Sequence, residues 1–356
     1  MDYALKWTAC DTATKVLAEL GRTEDLMFSP SGRRLALAGF RGNRIAVFEI
    51  MIDPVANGDW VSLTDVVEIE APTLNYPHGL CFLDEHTLVV ANRKGDVETF
   101  NVPAPSATIT RHHVSARQKF VGGSGRLINT PGSLAIYPLD PHMVELLVCN
   151  NYSNTVTRHT LDRRLDYVAT NDEVLLAHQL DIPDGISISP DGKWIAVSNH
   201  NTHSVLLYDR SRELHPGAEP DGVLSNVLCP HGVRFTPDLE HILVADAGAP
   251  FVNVYARNGT SWKGRRDPIS LFRVMEDTVF GQGRHNPQEG GPKGIDIDPS
   301  GQLVVVTCDE QSLAFFDLSK VVDSRSSPVP RQLRELKWRI EEVAYNKLGY
   351  ISRKTA

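Results

Sequence analysis

Six segments of this chain follow one template, and that repetition limits the fold more than any other feature of the sequence. They are "TEDLMFSPSGRRLALAGFRGNRIAVFEI" from Thr23, "PHGLCFLDEHTLVVANRKGDVETFNV" from Pro77 and "PGSLAIYPLDPHMVELLVCNNYSNTVTRHTL" from Pro131. "PDGISISPDGKWIAVSNHNTHSVLLYDR" from Pro183, "PHGVRFTPDLEHILVADAGAPFVNVYAR" from Pro230 and "PKGIDIDPSGQLVVVTCDEQSLAFFDL" from Pro292 complete the set. Each begins with a turn-forming pair or triplet and a short alternating run. A Ser-Pro-Asp-Gly type turn follows, then a strongly apolar run, a polar loop and a second alternating run. Gly and Asp supply the turn conformations, and Pro stays out of strand interiors. The grammar is that of three antiparallel strands joined by tight turns.

A fourth, less regular strand fits between segments, for example in "WVSLTDVVEIE" (60–70) and "DPISLFRVME" (267–276). Four strands per unit, repeated at intervals of 47 to 62 residues, predict an all-β, six-bladed β-propeller. A β-sandwich or barrel with coincidental turns is the competing architecture, and six segments on one template favour the propeller. It is expected to fill residues 1–330, with blade cores starting near residues 24, 78, 132, 184, 231 and 293. "TKVLAEL" (14–20) is expected as the outermost strand of the sixth blade, an N-terminal strand that closes the ring and removes its free edge. Residues 331–356 form a C-terminal extension outside the repeat. Leu333, Leu336, Ile340 and Val343 roughly follow helical spacing there, and a strand fits as well.

Net charge is −8, which argues against a non-specific grip on nucleic acid or an anionic membrane. No run of 18 apolar residues is present, and the N-terminus has no secretory pattern. The five cysteines lie 68 to 80 residues apart without a CxxC, so free thiols in a reducing, cytoplasmic setting are expected.

In a propeller, the first strand of each blade lines the central channel. The residue between Pro and Gly in the template therefore recurs at one place in all blades, at the channel mouth. Read in order, that position holds Glu24, His78, Gly132, Asp184, His231 and Lys293. The two Pro-His-Gly copies are three blades apart and face each other across the axis, as do Glu24 and Asp184. Solvated turn residues would look similar one at a time. Two His, two carboxylates and a Lys converging on one axis instead call for paired charges or a bound ligand. The insertions 111–130 and 274–291 open on the same face, which brings His112, His113, Arg126, Arg284 and His285 within possible reach. Asn92, Asn150, Asn199 and Asp246 end equivalent second strands, with His200 beside Asn199, and are candidates to contact a substrate or to cap loops.

The repeats from Thr23 to Leu318 resemble the six-bladed propellers of the NHL-repeat, gluconolactonase (senescence-marker-protein) and strictosidine-synthase-like group. In the gluconolactonase type, the resemblance implies a divalent metal at the channel mouth, held by a Glu of the first blade, Asn residues and an Asp. Glu24 stands at that Glu position. Asp184 replaces an Asn, Gly132 another Asn, and His231 the Asp, a departure from the calcium and sugar-lactone pattern. Pro-His at the start of inner strands is also similar to the peptidyl-hydroxyglycine amidating lyase, whose matching His residues hold zinc. His78 and His231 are the positions concerned.

Imidazoles with carboxylates suit zinc, manganese or iron better than calcium. The leading expectation is an enzyme acting on a small molecule, a metal-dependent hydrolase of lactonase type, with Glu24, His78, Asp184 and His231 as ligands. Asp184 or Glu24 could equally be a general base. Lys293 would pair with a carboxylate, await an anionic substrate or stabilise developing negative charge. A lyase or isomerase using His78, His231, Asp184 and Lys293 in acid–base roles is the second reading. A non-enzymatic interaction propeller is the third, since fold does not fix function. No Ser-His-Asp elbow or phosphate-binding glycine loop occurs.

Overall fold

The structure, a computed structural model, describes residues 4–53, 60–106, 108–285 and 287–323. The extension 331–356 lies outside them. Six sheets form a ring of six blades. The first strands are Thr23–Phe28, Pro77–Asp84, Pro131–Pro138, Pro183–Ile188, Pro230–Phe235 and Gly294–Ile297. Four of the six begin on Pro, the strand position where a missing N–H costs no ladder bond. The second strands are Arg34–Gly39, Thr87–Asn92, Met143–Asn150, Trp194–Asn199, His241–Asp246 and Leu303–Thr307.

These second strands read as continuous apolar runs because both of their faces are covered. Leu35 and Leu37 pack toward blade six, while Ala36 and Ala38 pack toward blade two. The same alternation splits Val89 and Ala91 from Leu88 and Val90, and Leu243 and Ala245 from Ile242 and Val244. Period-two geometry thus feeds one strand into two cores. Each pair of neighbouring blades encloses its own apolar cluster. The hairpin turns after the first strands of blades one, four and six are built alike. Gly32, Gly192 and Gly301 all sit at φ +71, a left-handed conformation that suits glycine.

Ring closure takes a different route from the expected one. Residues 14–20 are not a strand but part of the helix Asp11–Leu20. Cys10 caps its start by accepting from the Ala13 amide, and Ala13, Val16 and Leu20 bury one face against blade one. That i, i+3, i+7 spacing is helical, so local pattern and capping win over the template here. The chain before the helix makes the closure. Ala4 bridges Phe316 of blade six, and the Leu5 amide donates to the Phe315 carbonyl at 2.9 Å. Trp7–Ala9 then runs parallel to Val61–Leu63 of blade one, so one short segment ties the last blade to the first.

The insertion 111–130 is largely absorbed into sheets. Arg111–His113 lies along Glu68–Glu70 of blade one, and Gln118–Phe120 is the outer strand of blade two. Among the described residues, no helix is long and apolar enough to cross a membrane. All five cysteines are free thiols.

Candidate functional site

Two details of the Pro-X-Gly template build the site. First, the ladder between first and second strands slips at this tripeptide in five blades: between Thr23 and Leu26, Pro77 and Leu80, Pro131 and Leu134, Pro183 and Gly185, and Pro230 and Val233. Such an irregularity re-aims a side chain, and here it serves residue X. Second, the template glycine abuts residue X of the next blade. A Cβ on Gly79 would strike the Gly132 carbonyl, and one on Gly185 the His231 carbonyl. On Gly232 it would lie 2.6 Å from the Lys293 oxygen, and on Gly294 3.1 Å from that of Glu24. Glycine is needed because the inner strands converge on the axis.

The convergence brings Glu24, His78, Asp184, His231 and Lys293 into one cluster, all buried. The His78 and His231 rings are stacked, with centroids 5.4 Å apart and planes 20° apart. Glu24 Oε2 lies 3.7 Å from His78 Nε2, 3.6 Å from His231 Nε2 and 3.4 Å from Lys293 Nζ. Asp184 Oδ2 is 3.1 Å from His231 Nε2. Gly132 contributes its carbonyl, which sits 3.1 Å from His78 Nδ1. The Nδ1 proton therefore belongs to that bond, and Nε2 carries the lone pair. Gly132 also makes room for Asn151, whose Nδ2 donates to Asp184 Oδ1 at 2.5 Å.

Charges from outside the predicted ring complete the cluster. Arg22 pairs with Glu24. Arg93 Nη2 lies 2.6 Å from His78 Nε2 and 3.0 Å from Asp184 Oδ1. Glu289, from the insertion 274–291, accepts from Lys293 Nζ at 2.8 Å and lies 3.5 Å from His200 Nε2. Burial opposes ionisation of Glu24, but Lys293 and the neighbouring nitrogens override it and hold the carboxyl well below the usual range. Asp184 is held low in the same way, with His231 and Arg93 overcoming burial. Burial, then Arg93, pushes His78 down to about 3, so the ring is neutral and its contacts with carboxylates are not ion pairs. Burial likewise lowers His200, and Lys293 is raised by Glu24 and Glu289 against the cost of burial.

The cavity over this cluster has a volume of about 550 Å³. Part of its wall follows a second rule of the repeat. Phe40, Arg93, Asn151 and His200 each come one residue after the end of a second strand, and all four line the cavity. Asn92, Asn150, Asn199 and Asp246, each the last residue of its second strand, turn inward to the loops instead. Their side-chain oxygens accept from the amides of Asn75, Asn129, Asp181 and Leu228, each two residues before the Pro of a template tripeptide. They hold the wall without lining it. Tyr76, Thr130 and Ile182 immediately precede such prolines at φ 56, 50 and 54, strained values for non-glycine residues, and Thr130 and Ile182 line the same cavity.

Arg284 and His285 lie away from the wall. Arg284 reaches the Pro287 carbonyl, and His285 Nε2 sits 2.9 Å from Glu310. Arg126 faces Asp96 at 3.6 Å, and His112 and His113 sit in the outer strand on blade one. Deeper in the channel, Arg234 Nε donates to Asp296 at 2.8 Å and lies 3.9 Å from Asp25 through Nη2. One guanidinium shared by two fully buried carboxyls leaves Asp25 pushed up to about 7, chiefly by burial.

Glu24, His78 and His231 together offer one ligand atom each, all within 4.8 Å of one another, and could hold a metal ion. Glu24 Oε2 is buried without a hydrogen-bond partner, which leaves it available. Donors around a tetrahedral ion with bonds of about 2.1 Å stand about 3.4 Å apart, close to the 3.6 and 3.7 Å from Glu24 Oε2 to the two imidazoles. The donor set fits, on condition that Arg93 withdraws from the His78 lone pair. The chain matches no protein-family model, and no curated protein matches it in sequence.

Proposed function

We propose that the channel mouth is the active site of an enzyme that acts on a small molecule, with a divalent cation held by Glu24, His78 and His231 and hydrolysis of an ester or lactone as the reaction. One observation carries this reading: a fully buried carboxylate oxygen, ion-paired with Lys293 at 3.4 Å but without a hydrogen bond, faces two imidazole Nε2 atoms at 3.6 and 3.7 Å. Imidazole donors favour zinc, manganese or iron over calcium. The resemblance of Glu24 to the metal-binding Glu of gluconolactonase-type propellers supports the same reading.

The ion would polarise a carbonyl or activate water. The chain's own groups take the remaining roles. Asp184 is held ionised beside His231 and accepts a proton as general base. Lys293, fixed between Glu24 and Glu289, stabilises negative charge on the carbonyl oxygen. The Gly132 carbonyl holds His78 in the tautomer that presents Nε2.

The 2.6 Å contact between Arg93 and His78 Nε2 favours a second reading, metal-free acid–base chemistry of a lyase or isomerase. Calorimetric titration of chelated protein with zinc, manganese and calcium separates the two, alongside metal analysis of the purified protein and assay on a panel of lactones and esters. Wild type is expected to bind zinc or manganese at least a hundredfold more tightly than the double variant His78→Ala/His231→Ala. Equal binding by both sinks the metal site, and no turnover of any lactone or ester with zinc bound sinks the hydrolase.

A further inference from the structure

We infer that the molecule taken at the channel mouth is a small carboxylate anion bearing a planar ring, its carboxylate on Arg93 and Lys94 and its ring against Tyr152. The inference rests on the reading of this cavity as an active site and names the substrate class that the cavity selects.

The argument starts from where charge is already spent. At the floor, Glu24 has Lys293 and Arg22, and Glu289 has Lys293. Asp184 has Arg93 and the Asn151 amide. Arg93 uses only Nη2 for these contacts. Among the described residues its Nε and Nη1 groups have no acceptor. The next residue, Lys94, places its ammonium 4.4 Å over the Tyr76 ring and has no carboxylate partner among the described residues. Both residues line the cavity. Two adjacent cations with unused donors face a space where Asp184 is the nearest carboxylate, and a bound divalent ion would add to the positive surplus.

The pair is also held in place. The Arg93 amide donates to the Tyr76 carbonyl at 2.9 Å, and Asn75 Nδ2 donates to the Lys94 carbonyl at 2.9 Å. A pinned backbone presents these cations at a lower ordering cost on binding. A guanidinium with free donors beside an ammonium suits a carboxylate. A phosphate dianion suits the site less well. It would place a second negative charge near Asp184, and among the described residues no helix N-terminus or glycine loop at the cavity supplies the amides that phosphate sites use.

The ring has its own signal. Tyr152 is 70% exposed, belongs to no apolar cluster and lines the cavity. Its amide is anchored to Thr130 Oγ1 at 3.1 Å, so the backbone that carries the ring is held at the rim. An exposed aromatic beside a polar cavity gains from a ring laid on it. The cavity volume of about 550 Å³ is ample for a one-ring acid.

The test titrates chelated protein by calorimetry with phenylacetate, phenylacetamide and inorganic phosphate, with no metal present. Phenylacetate is expected to bind at least tenfold more tightly than its amide, and phosphate more weakly than phenylacetate. Arg93→Gln should erase the preference for the acid, and Lys94→Ala should reduce it about threefold. Tyr152→Ala should weaken acid and amide alike. Lys94 and Tyr152 are exposed, so these two variants keep the fold, and a thermal melt confirms it for Arg93→Gln. A melt showing Arg93→Gln unfolded passes the decision to Lys94→Ala, whose unchanged preference overturns the inference. Equal affinity for acid and amide, or tighter binding of phosphate, overturns it as well. Zinc titration of the same sample keeps the two readings apart. Acid preference without zinc binding supports the anion site and rejects the metal, and zinc binding without acid preference does the reverse.

Discussion

A Cβ on Gly185 would fall on the carbonyl oxygen of His231. Blade four can approach blade five only because that Cβ is missing, so the template glycine sets the position of the histidine after it. Gly185→Ala must push the inner strand of blade five outward. The expected cost is about 2–3 kcal/mol, the range of overpacking in a dense interior. Zinc affinity should fall with it, because His231 moves. Gly281→Ala is the control. Its Cβ would meet nothing within 4 Å, and it lies in the helix Asp277–Gln282, where alanine is favoured. Chemical denaturation of both variants checks the claim, which fails if Gly185→Ala is as stable as Gly281→Ala.

Ring closure depends on residues before the helix. The Trp7 ring meets Phe315 of blade six edge-on at 5.7 Å, while the Trp7 backbone pairs with Val61 of blade one. Trp7→Ala should cost about 2 kcal/mol or more, somewhat below a fully buried aromatic. Deleting the first nine residues should lower the melting temperature further, since it also bares the edge at Phe315 and Phe316. An unchanged melt in the deletion variant would show that blade six closes without them.

What was legible follows from what repeats. The Pro-X-Gly tripeptide recurs, so its place at the axis and the company of Glu24, His78, Asp184, His231 and Lys293 could be read by alignment. The residue after each second strand recurs too. His200, named beside Asn199, lines the cavity, and the same step past Asn92 and Asn150 would have given Arg93 and Asn151, while the Asn side chains go to loop amides. Arg22 and Glu289 have no such key. Glu289 is placed by the path of an insertion unique to one blade, and Arg22 by its pairing with a residue two positions on. The helix Asp11–Leu20 was hidden for another reason. A seven-residue apolar pattern fits both periods, and the cap at Cys10 lies just outside it.

Arg93 stands where a metal would meet His78. Its Nη2 occupies the Nε2 lone pair at 2.6 Å, so an ion must displace it. Arg93→Ala should therefore strengthen zinc binding to chelated protein about tenfold, through loss of both the competing hydrogen bond and a nearby positive charge. His78→Ala should do the opposite. Weaker zinc binding in Arg93→Ala would mean that the guanidinium orients His78 for the ion rather than competing with it.

Glu289 joins the site to the insertion that carries it, and its ionisation should be visible in stability. Burial opposes its charge, but Lys293 at 2.8 Å and His200 at 3.5 Å prevail and hold the carboxyl down at about 2, against 4.5 for an unperturbed glutamate. A group depressed in the folded state binds fewer protons there than in the unfolded chain. Its stabilisation is therefore complete above about pH 4.5 and disappears as pH falls toward 2. At about 1.4 kcal/mol per unit, the whole effect is at most about 3.5 kcal/mol. Glu289→Gln removes the titration while keeping the shape. The stability advantage of wild type over this variant should be constant from pH 8 to 5, then shrink by about 1.4 kcal/mol per unit as pH falls further. Urea denaturation of both proteins at each pH measures the difference. A gap that stays level down to pH 3, or widens there, would show that Glu289 is not held ionised by Lys293 and His200.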